Sequence, residues 1–323
     1  MKIRVRMLVA ATVVLALASM GCARLQAKMA FKEGNKLYKE ENFRKAVEEY
    51  ERAISLDPNM VEGHFYLASS HQALYRPGKD TPDNKEQLEK AIAEFKLALQ
   101  LNDGSNERMK QVRRNTLGAL TAIYSDEPYK NFDEAYSYAN QLVQDNPTDP
   151  KNLFAMANLY EKFNKVDEAE QMYRKAAEAN PQDVKACGAL ASFLNKPYWE
   201  GRSKFDEAVD TLQKCAALQP TDPSGYYKVA TFFWDKAYRD PLLNDQQKDA
   251  YADRGLENVD KALEMKPDYV DAIIYKGLLY RVKAQVSTNP KLRQQYLDQA
   301  QTLQKQAVEL KKEAAAGAAA PGQ

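Results

Sequence analysis

Apolar and small residues recur along this chain at three- and four-residue intervals, and the pattern is strongest just ahead of a series of prolines. AVEEYERAISLDP, EAYSYANQLVQDNP, EAEQMYRKAAEANP, EAVDTLQKCAALQP and GLENVDKALEMKP align on their last residue, KAIAEFKLALQLND ends on Asp103 in place of proline, and DQAQTLQKQAVELK closes the series. Within them a small residue is followed seven positions on by another: Ala46 and Ala53, Ala91 and Ala98, Ala169 and Ala176, Ala300 and Ala307. Seven residues make about two helical turns, so both members of each pair lie on one face. Tyr50, Phe95 and Tyr173 sit between them at i+4, filling the space that the alanines leave for a neighbour. Such a stripe predicts a helix–helix seam.

Each of these segments follows a second amphipathic stretch, as in FKEGNKLYKEENFRKA, LFAMANLYEKFNKVDEA and AIIYKGLLYRVKA. The predicted unit is therefore a helix pair. The proline-equivalent positions 58, 103, 147, 181, 220 and 267 lie 34 to 47 residues apart. The surplus falls in YRPGKDTPDNKEQ, NKPYWEGRS, YRDPLLNDQQK and VSTNPKLRQQ, which hold the turn-forming residues and are expected as longer connections along one edge. In the third unit, 106–125 reads as one long first helix.

Gly34, Ala157 and Gly277 occupy the close-contact place of first helices, with Tyr160 and Tyr280 three residues beyond the last two. Residues 150–183 match without a gap the roughly 34-residue tetratricopeptide repeat, and here the chain resembles that family. The resemblance implies an all-α, right-handed superhelical α-solenoid of about seven helix pairs, at 27–60, 61–105, 106–149, 150–183, 184–222, 223–269 and 270–312. It also implies a function: binding of a peptide or helix of partner proteins in an inner groove lined by positions two, five, nine and twelve of each first helix. Those positions give Phe31, Asn35 and Tyr38; Phe65 and Ser69; Phe154, Asn158 and Glu161; Lys185, Ser192 and Asn195; and Tyr227, Thr231 and Trp234. Aromatics provide contact area and asparagines can hold an extended backbone, with packing against the next repeat as the competing use of the rings. Chaperone-tail binders of the family clamp a carboxylate with Lys and Asn four residues apart and a second Asn on the next first helix. Asn35 is present here, but Phe31 and Tyr66 hold the other two places.

The N-terminus changes the setting. Lys2, Arg4 and Arg6 precede an apolar run from Met7 to Ala18 and then Ser19-Met20-Gly21-Cys22, the order of a secretory signal. The run is shorter than the roughly 20 residues that a spanning helix needs. Gly21-Cys22 resembles the lipobox of bacterial lipoproteins, although Ser19 stands where Leu is usual. The expectation is a signal peptide at 1–21, lipidation of Cys22, a short linker at 23–26 and repeats on the periplasmic face of the outer membrane. Cleavage after Ala23 and an uncleaved anchor are the alternatives. Residues 313–323, EAAAGAAAPGQ, lack bulky apolar side chains and are expected to be disordered.

Composition excludes more than it identifies. Lys and Arg total 46 against 45 Asp and Glu, which leaves no basic excess to hold a phosphate backbone, so no nucleic acid is expected. No GxxxxGK[ST] or GxGxxG loop occurs, and the two histidines, His64 and His71, form no HExxH motif. Neither a cofactor, a metal, a small-molecule substrate nor an enzymatic activity is implied. Cys187 and Cys215 fall on the two helices of the fifth pair; an exported protein meets an oxidising compartment, so they are a candidate disulfide or, alternatively, two small seam residues. The expected function is a membrane-tethered scaffold for partner proteins of a cell-envelope assembly. The alternative is an accessory regulator of an envelope enzyme, for example a peptidoglycan hydrolase.

Overall fold

The computed structural model describes residues 23–196 and 204–319, with side chains described through 315. The expected signal peptide and Cys22 lie outside the described residues. The chain divides into two compact units, one ending at Lys165 and the other beginning at Val166. The division falls inside 150–183, read from sequence as one repeat.

The first unit holds α1 (23–39), α2 (Phe43–Leu56), α3 (Val61–Leu74), α4 (Pro82–Leu101), α5 (Glu107–Ser125), α6 (Phe132–Asp145) and α7 (Pro150–Lys162). The second holds α8 (Val166–Ala179), α9 (Val184–Leu194), α10 (Phe205–Ala217), α11 (Pro223–Arg239), α12 (Asp245–Met265), α13 (Val270–Val286) and α14 (Pro290–Ala319). No strand occurs among the described residues. The fold class is all-α.

The small–bulky–small stripe is buried wherever it was read. Ala46, Tyr50 and Ala53 on α2, Ala91, Phe95 and Ala98 on α4, and Ala169, Tyr173 and Ala176 on α8 are all core residues. From α2 to α7 each helix packs on the next within the first unit, and from α8 to α14 within the second. First helices also touch first helices: α3 meets α5, α5 meets α7, and in the second unit α11 meets α13. Within the first unit α3, α5 and α7 therefore share a face, and within the second α11 and α13 do, and those faces are where groove positions would point.

One turn explains how successive pairs are joined. Pro147, Pro181 and Pro220 end a second helix, since proline lacks the N–H that continuation would need. Two residues later Asp149, Asp183 and Asp222 cap the next first helix, accepting from Lys151 N at 2.9 Å, Lys185 N at 2.8 Å and Ser224 N at 2.9 Å.

Two expectations are corrected. The surplus residues go largely into longer helices: α4, α12 and α14 begin at Pro82, Asp245 and Pro290, leaving only 240–244 and 287–289 as connections in the last two pairs. Proline at the first helical position, as at Pro82 and Pro290, and asparagine as an N-cap start helices, so residues read as turn-formers are helix starts. Asn244 forms a capping box with Gln247. The NKPYWEGRS connection lies mostly outside the described residues. At the other end, α14 continues through Ala319, where 313–323 was expected to be disordered. Alanine is the strongest helix former, and this stretch is rich in it.

Candidate functional site

Four of the six aromatic groove candidates, Phe31, Tyr38, Tyr227 and Trp234, clasp the next helix pair. On α1, Phe31 and Tyr38 enclose Tyr66 of α3, with ring centroids 5.8 Å away in both contacts. On α11, Tyr227 and Trp234 enclose Tyr275 of α13 at 5.4 and 5.3 Å. These are the same repeat positions in both places, five and twelve of one first helix around position six of the next. Edge-on geometry dominates the clasps, which sets the positive ring edge against the negative face.

Further contacts tie each clasp into its unit. Tyr66 stacks on Tyr50 at 5.9 Å and meets Phe65 at 5.1 Å, while Phe65 leans on Phe95 at 5.8 Å. Asn35, read as a peptide-holding amide, accepts the Tyr50 hydroxyl at 2.8 Å. Burial, reinforced by Tyr275, Asp271 and Tyr269, pushes the Tyr227 hydroxyl up to about 12. Burial likewise raises Tyr38. These phenols are neutral at physiological pH.

The other groove candidates fall into two groups. Phe154, Glu161, Ser192, Asn195 and Thr231 are half-buried; Asn158 and Lys185 are exposed, on α7 and α9 respectively. Sequence reasoning missed Tyr66 and Tyr275 as members of the face. The signal was present as an aromatic at position six of a first helix following a pair with aromatics at five and twelve.

Cys187 on α9 and Cys215 on α10 are joined by a disulfide, their Cα atoms 5.8 Å apart, within the range such a bond allows. It links the two helices of one pair across the connection that contains 197–203.

The charged clusters are ion-paired. Glu170 on α8 accepts from Lys204 at 2.5 Å and from Arg174 at 2.6 Å, and Arg174 also reaches Glu207 at 2.6 Å. Burial alone would raise Glu170, but the bonds from Lys204 and Arg174 outweigh it and hold the carboxyl below its usual range. Lys283 on α13 is buried against Asp249 and Asp253 of α12, at 2.9 and 2.5 Å. His64, 4% exposed, sits 2.6 Å from Glu94 through Nδ1 and 2.9 Å from the Pro58 carbonyl through Nε2. His71 bonds Gln87 at 2.8 Å. No group of three or more His, Cys, Asp or Glu able to hold a metal occurs among the described residues, and no helix among them is long and apolar enough to cross a membrane.

Comparison with known proteins agrees with the repeat reading over part of the chain. A family model described as TPR repeat matches residues 34–74, and one described as tetratricopeptide repeat matches residues 129–192. Hsp70-Hsp90 organizing protein 3 of Arabidopsis thaliana is 25% identical over 311 residues, covering 82% of this chain and 54% of that protein. The chain thus spans about half the length of this curated relative. A TPR repeat-containing protein of Methanocaldococcus jannaschii is 33% identical over 99 residues, 28% of this chain and 30% of the other. Among solved structures, a tetratricopeptide repeat protein from Parabacteroides merdae covers 86% of this chain and 99% of its own, at 14% identity and a TM-score of 0.46. Residues 34–74 and 129–192 of this chain are tetratricopeptide repeats.

Proposed function

We propose that the chain is a protein-binding scaffold, tethered by a lipidated Cys22 after removal of 1–21 and displayed on the periplasmic face of the outer membrane of a bacterium, where it positions partner proteins of an envelope assembly. Proteins built from this repeat bind other proteins. The observation that carries the reading is the shared face of first helices, α3 with α5 and α7, and α11 with α13. The clasp rings back that face on α1 and α3 in the first unit and on α11 and α13 in the second; Asn158 is exposed on α7 of the first unit and Lys185 on α9 of the second. A repeated row of helices with polar groups over an aromatic backing suits an extended peptide or an amphipathic helix.

Export is supported by the charged, apolar and Gly-Cys order at the N-terminus and by the Cys187–Cys215 disulfide, a bond that persists in oxidising compartments. Chaperone tails are not the proposed ligand, although the Arabidopsis relative is named for chaperones. Two of the three clamp positions here are Phe31 and Tyr66, which pack on each other. Catalysis is not proposed, because the strongest titratable clusters are ion pairs fully engaged with one another.

The test is photo-crosslinking in cells from Asn158 and Lys185, with Lys79 in the α3–α4 connection as the comparison. Discrete adducts from the first two are expected; adducts from Lys79 alone would overturn the inner-face reading. Tethering is tested separately. Cys22→Ser should release the protein from the membrane fraction, and unchanged processing with full membrane retention would refute lipidation.

A further inference from the structure

Among the described residues, the α13–α14 pair carries an unfilled copy of a surface that is occupied one pair earlier. On α11 and α12, the positions Tyr227, Trp234, Gly255 and Val259 receive α13. Tyr269 and Tyr275 lie against Tyr227, and Tyr275 lies against Trp234. A Cβ placed on Gly255 would come within 2.6 Å of Leu279 Cδ2, so α13 is seated directly on that glycine, and Val259 is fully buried beside Ala272 and Leu279. The equivalent positions on α13 and α14 are Ile274, Arg281, Ala300 and Gln304, with Val308 and Lys311 matching Leu263 and Lys266. There they line an open cavity of about 340 Å³. Its wall is mostly apolar, and Val308 is 47% exposed. An α-helix is the object that this surface is shaped to receive, since one already lies on its twin.

Charge selects among occupants. Arg281 and Lys311 stand along the cavity, Arg281 held by a 2.8 Å bond to Gln304, and none of the residues lining it is acidic. A second copy docking through its exposed α1 row, Leu25 and Met29, would bring Lys28 and Lys32 with it. A second copy docking through this same face would set Arg281 and Lys311 against their own kind. Like charges across an interface are unfavourable, whereas carboxylates would pair with both cations.

We propose that the α13–α14 face is a docking site for an amphipathic helix of a partner protein, seated as α13 is seated on α11 and α12, with acidic residues flanking its apolar row. Ile274 and Arg281 stand at first-helix positions five and twelve, so this surface borders the inner face, whereas its α14 part, Ala300, Gln304, Val308 and Lys311, does not, and the test reads that part through Val308 and Lys311.

The test uses the full chain and two fluorescein-labelled peptides. One copies residues 269–286; the other carries Lys276→Glu, Arg281→Glu and Lys283→Glu. Anisotropy should show the acidic peptide binding at least tenfold more tightly than its basic parent. Val308→Asp should weaken it about tenfold, with the fold confirmed by circular dichroism, and Lys311→Glu should narrow or reverse the preference. Equal binding of the two peptides, or binding indifferent to Val308→Asp, would overturn the proposal. So would a dimer in sedimentation that Val308→Asp dissolves, which identifies a second copy as the occupant. Labelling of Val308→Cys in the free chain as slow as that of a buried thiol would also overturn it, because a segment of the chain itself would then cover the face.

Discussion

Gly34 on α1 and Gly118 on α5 are both helical glycines, and the same substitution should move their helices in opposite directions. Alanine is favoured over glycine in a helix interior by about 1 kcal/mol, so Gly→Ala in open space stabilises. Around Gly118 an added Cβ meets nothing within 4 Å. At Gly34 it would lie 2.7 Å from Tyr50 Cε1 and 2.8 Å from Cδ1, closer than carbon atoms approach. Tyr50 is fully buried, its hydroxyl is fixed on Asn35, and its ring is packed against Phe31 and Tyr66. The ring cannot swing aside without breaking those contacts. Overpacking of this kind costs about 1–3 kcal/mol, which outweighs the propensity gain. The expected net is a loss of up to about 2 kcal/mol at α1–α2 for Gly34→Ala and a gain of up to about 1 kcal/mol at α5 for Gly118→Ala. A chain of two units does not license one global unfolding free energy, so the assay is amide hydrogen exchange resolved by peptide. Exchange over 27–56 should quicken by up to about thirtyfold in Gly34→Ala, and exchange over 107–125 should slow up to about fivefold in Gly118→Ala. Slower exchange at 27–56 in Gly34→Ala would show that Tyr50 yields freely and that the close approach at Gly34 is no constraint.

Three further outcomes are expected. Unfolded, non-reduced protein should show no free thiol from Cys187 or Cys215, and the double Cys→Ser variant should lose about 2–5 kcal/mol in the second unit, read by local exchange; two titratable thiols there would contradict the bond. Tyr275→Ala should open the second clasp at a cost of about 2–4 kcal/mol and shift Trp234 emission to the red in a Trp199→Phe background; an unmoved spectrum would mean that Tyr275 does not shield the indole. Both nitrogens of His64 face acceptors, so the imidazolium satisfies the site, and although burial opposes it, the bonds to Glu94 and Pro58 raise its folded pKa above 6.5. That contribution is complete below the unfolded pKa and is lost as pH rises through the higher folded one, so α3–α4 protection, corrected for intrinsic exchange, should fall above pH 6.5 in the wild type and not in His64→Gln.

Helix existence and the seams were legible because both depend on local spacing. Ala46, Tyr50 and Ala53 announce a buried stripe whatever lies opposite them. Where connections end was less legible, because Pro82, Asn244 and Pro290 have two uses. The same residue breaks a helix in its interior and starts one at its first turn, and only the three-dimensional register distinguishes the two. The extension of α14 past 312 was missed for a related reason: low apolar content was taken to imply disorder, while alanine needs little burial to stay helical. The cystine could be placed on two antiparallel helices from sequence, but pairing needed the 5.8 Å separation of the α-carbons.

The groove was the least legible feature, and the reason bears on how any binding site here should be sought. Position five on a first helix points toward the inner face, but it also lies within reach of position six on the next first helix. When both are aromatic, the pair gains ring contact that each would otherwise lose to water, and the site becomes a clasp between repeats. This happens at Phe31 with Tyr66 and at Tyr227 with Tyr275. Replacing such a ring therefore loosens the stack and alters the inner face at once, so loss of partner binding in Phe31→Ala or Tyr227→Ala would not identify a contact residue. Exposed positions avoid this coupling. Lys185, exposed on α9 and outside both clasps, can be changed without opening one, and it is its substitution, with unchanged local exchange, that separates recognition from architecture.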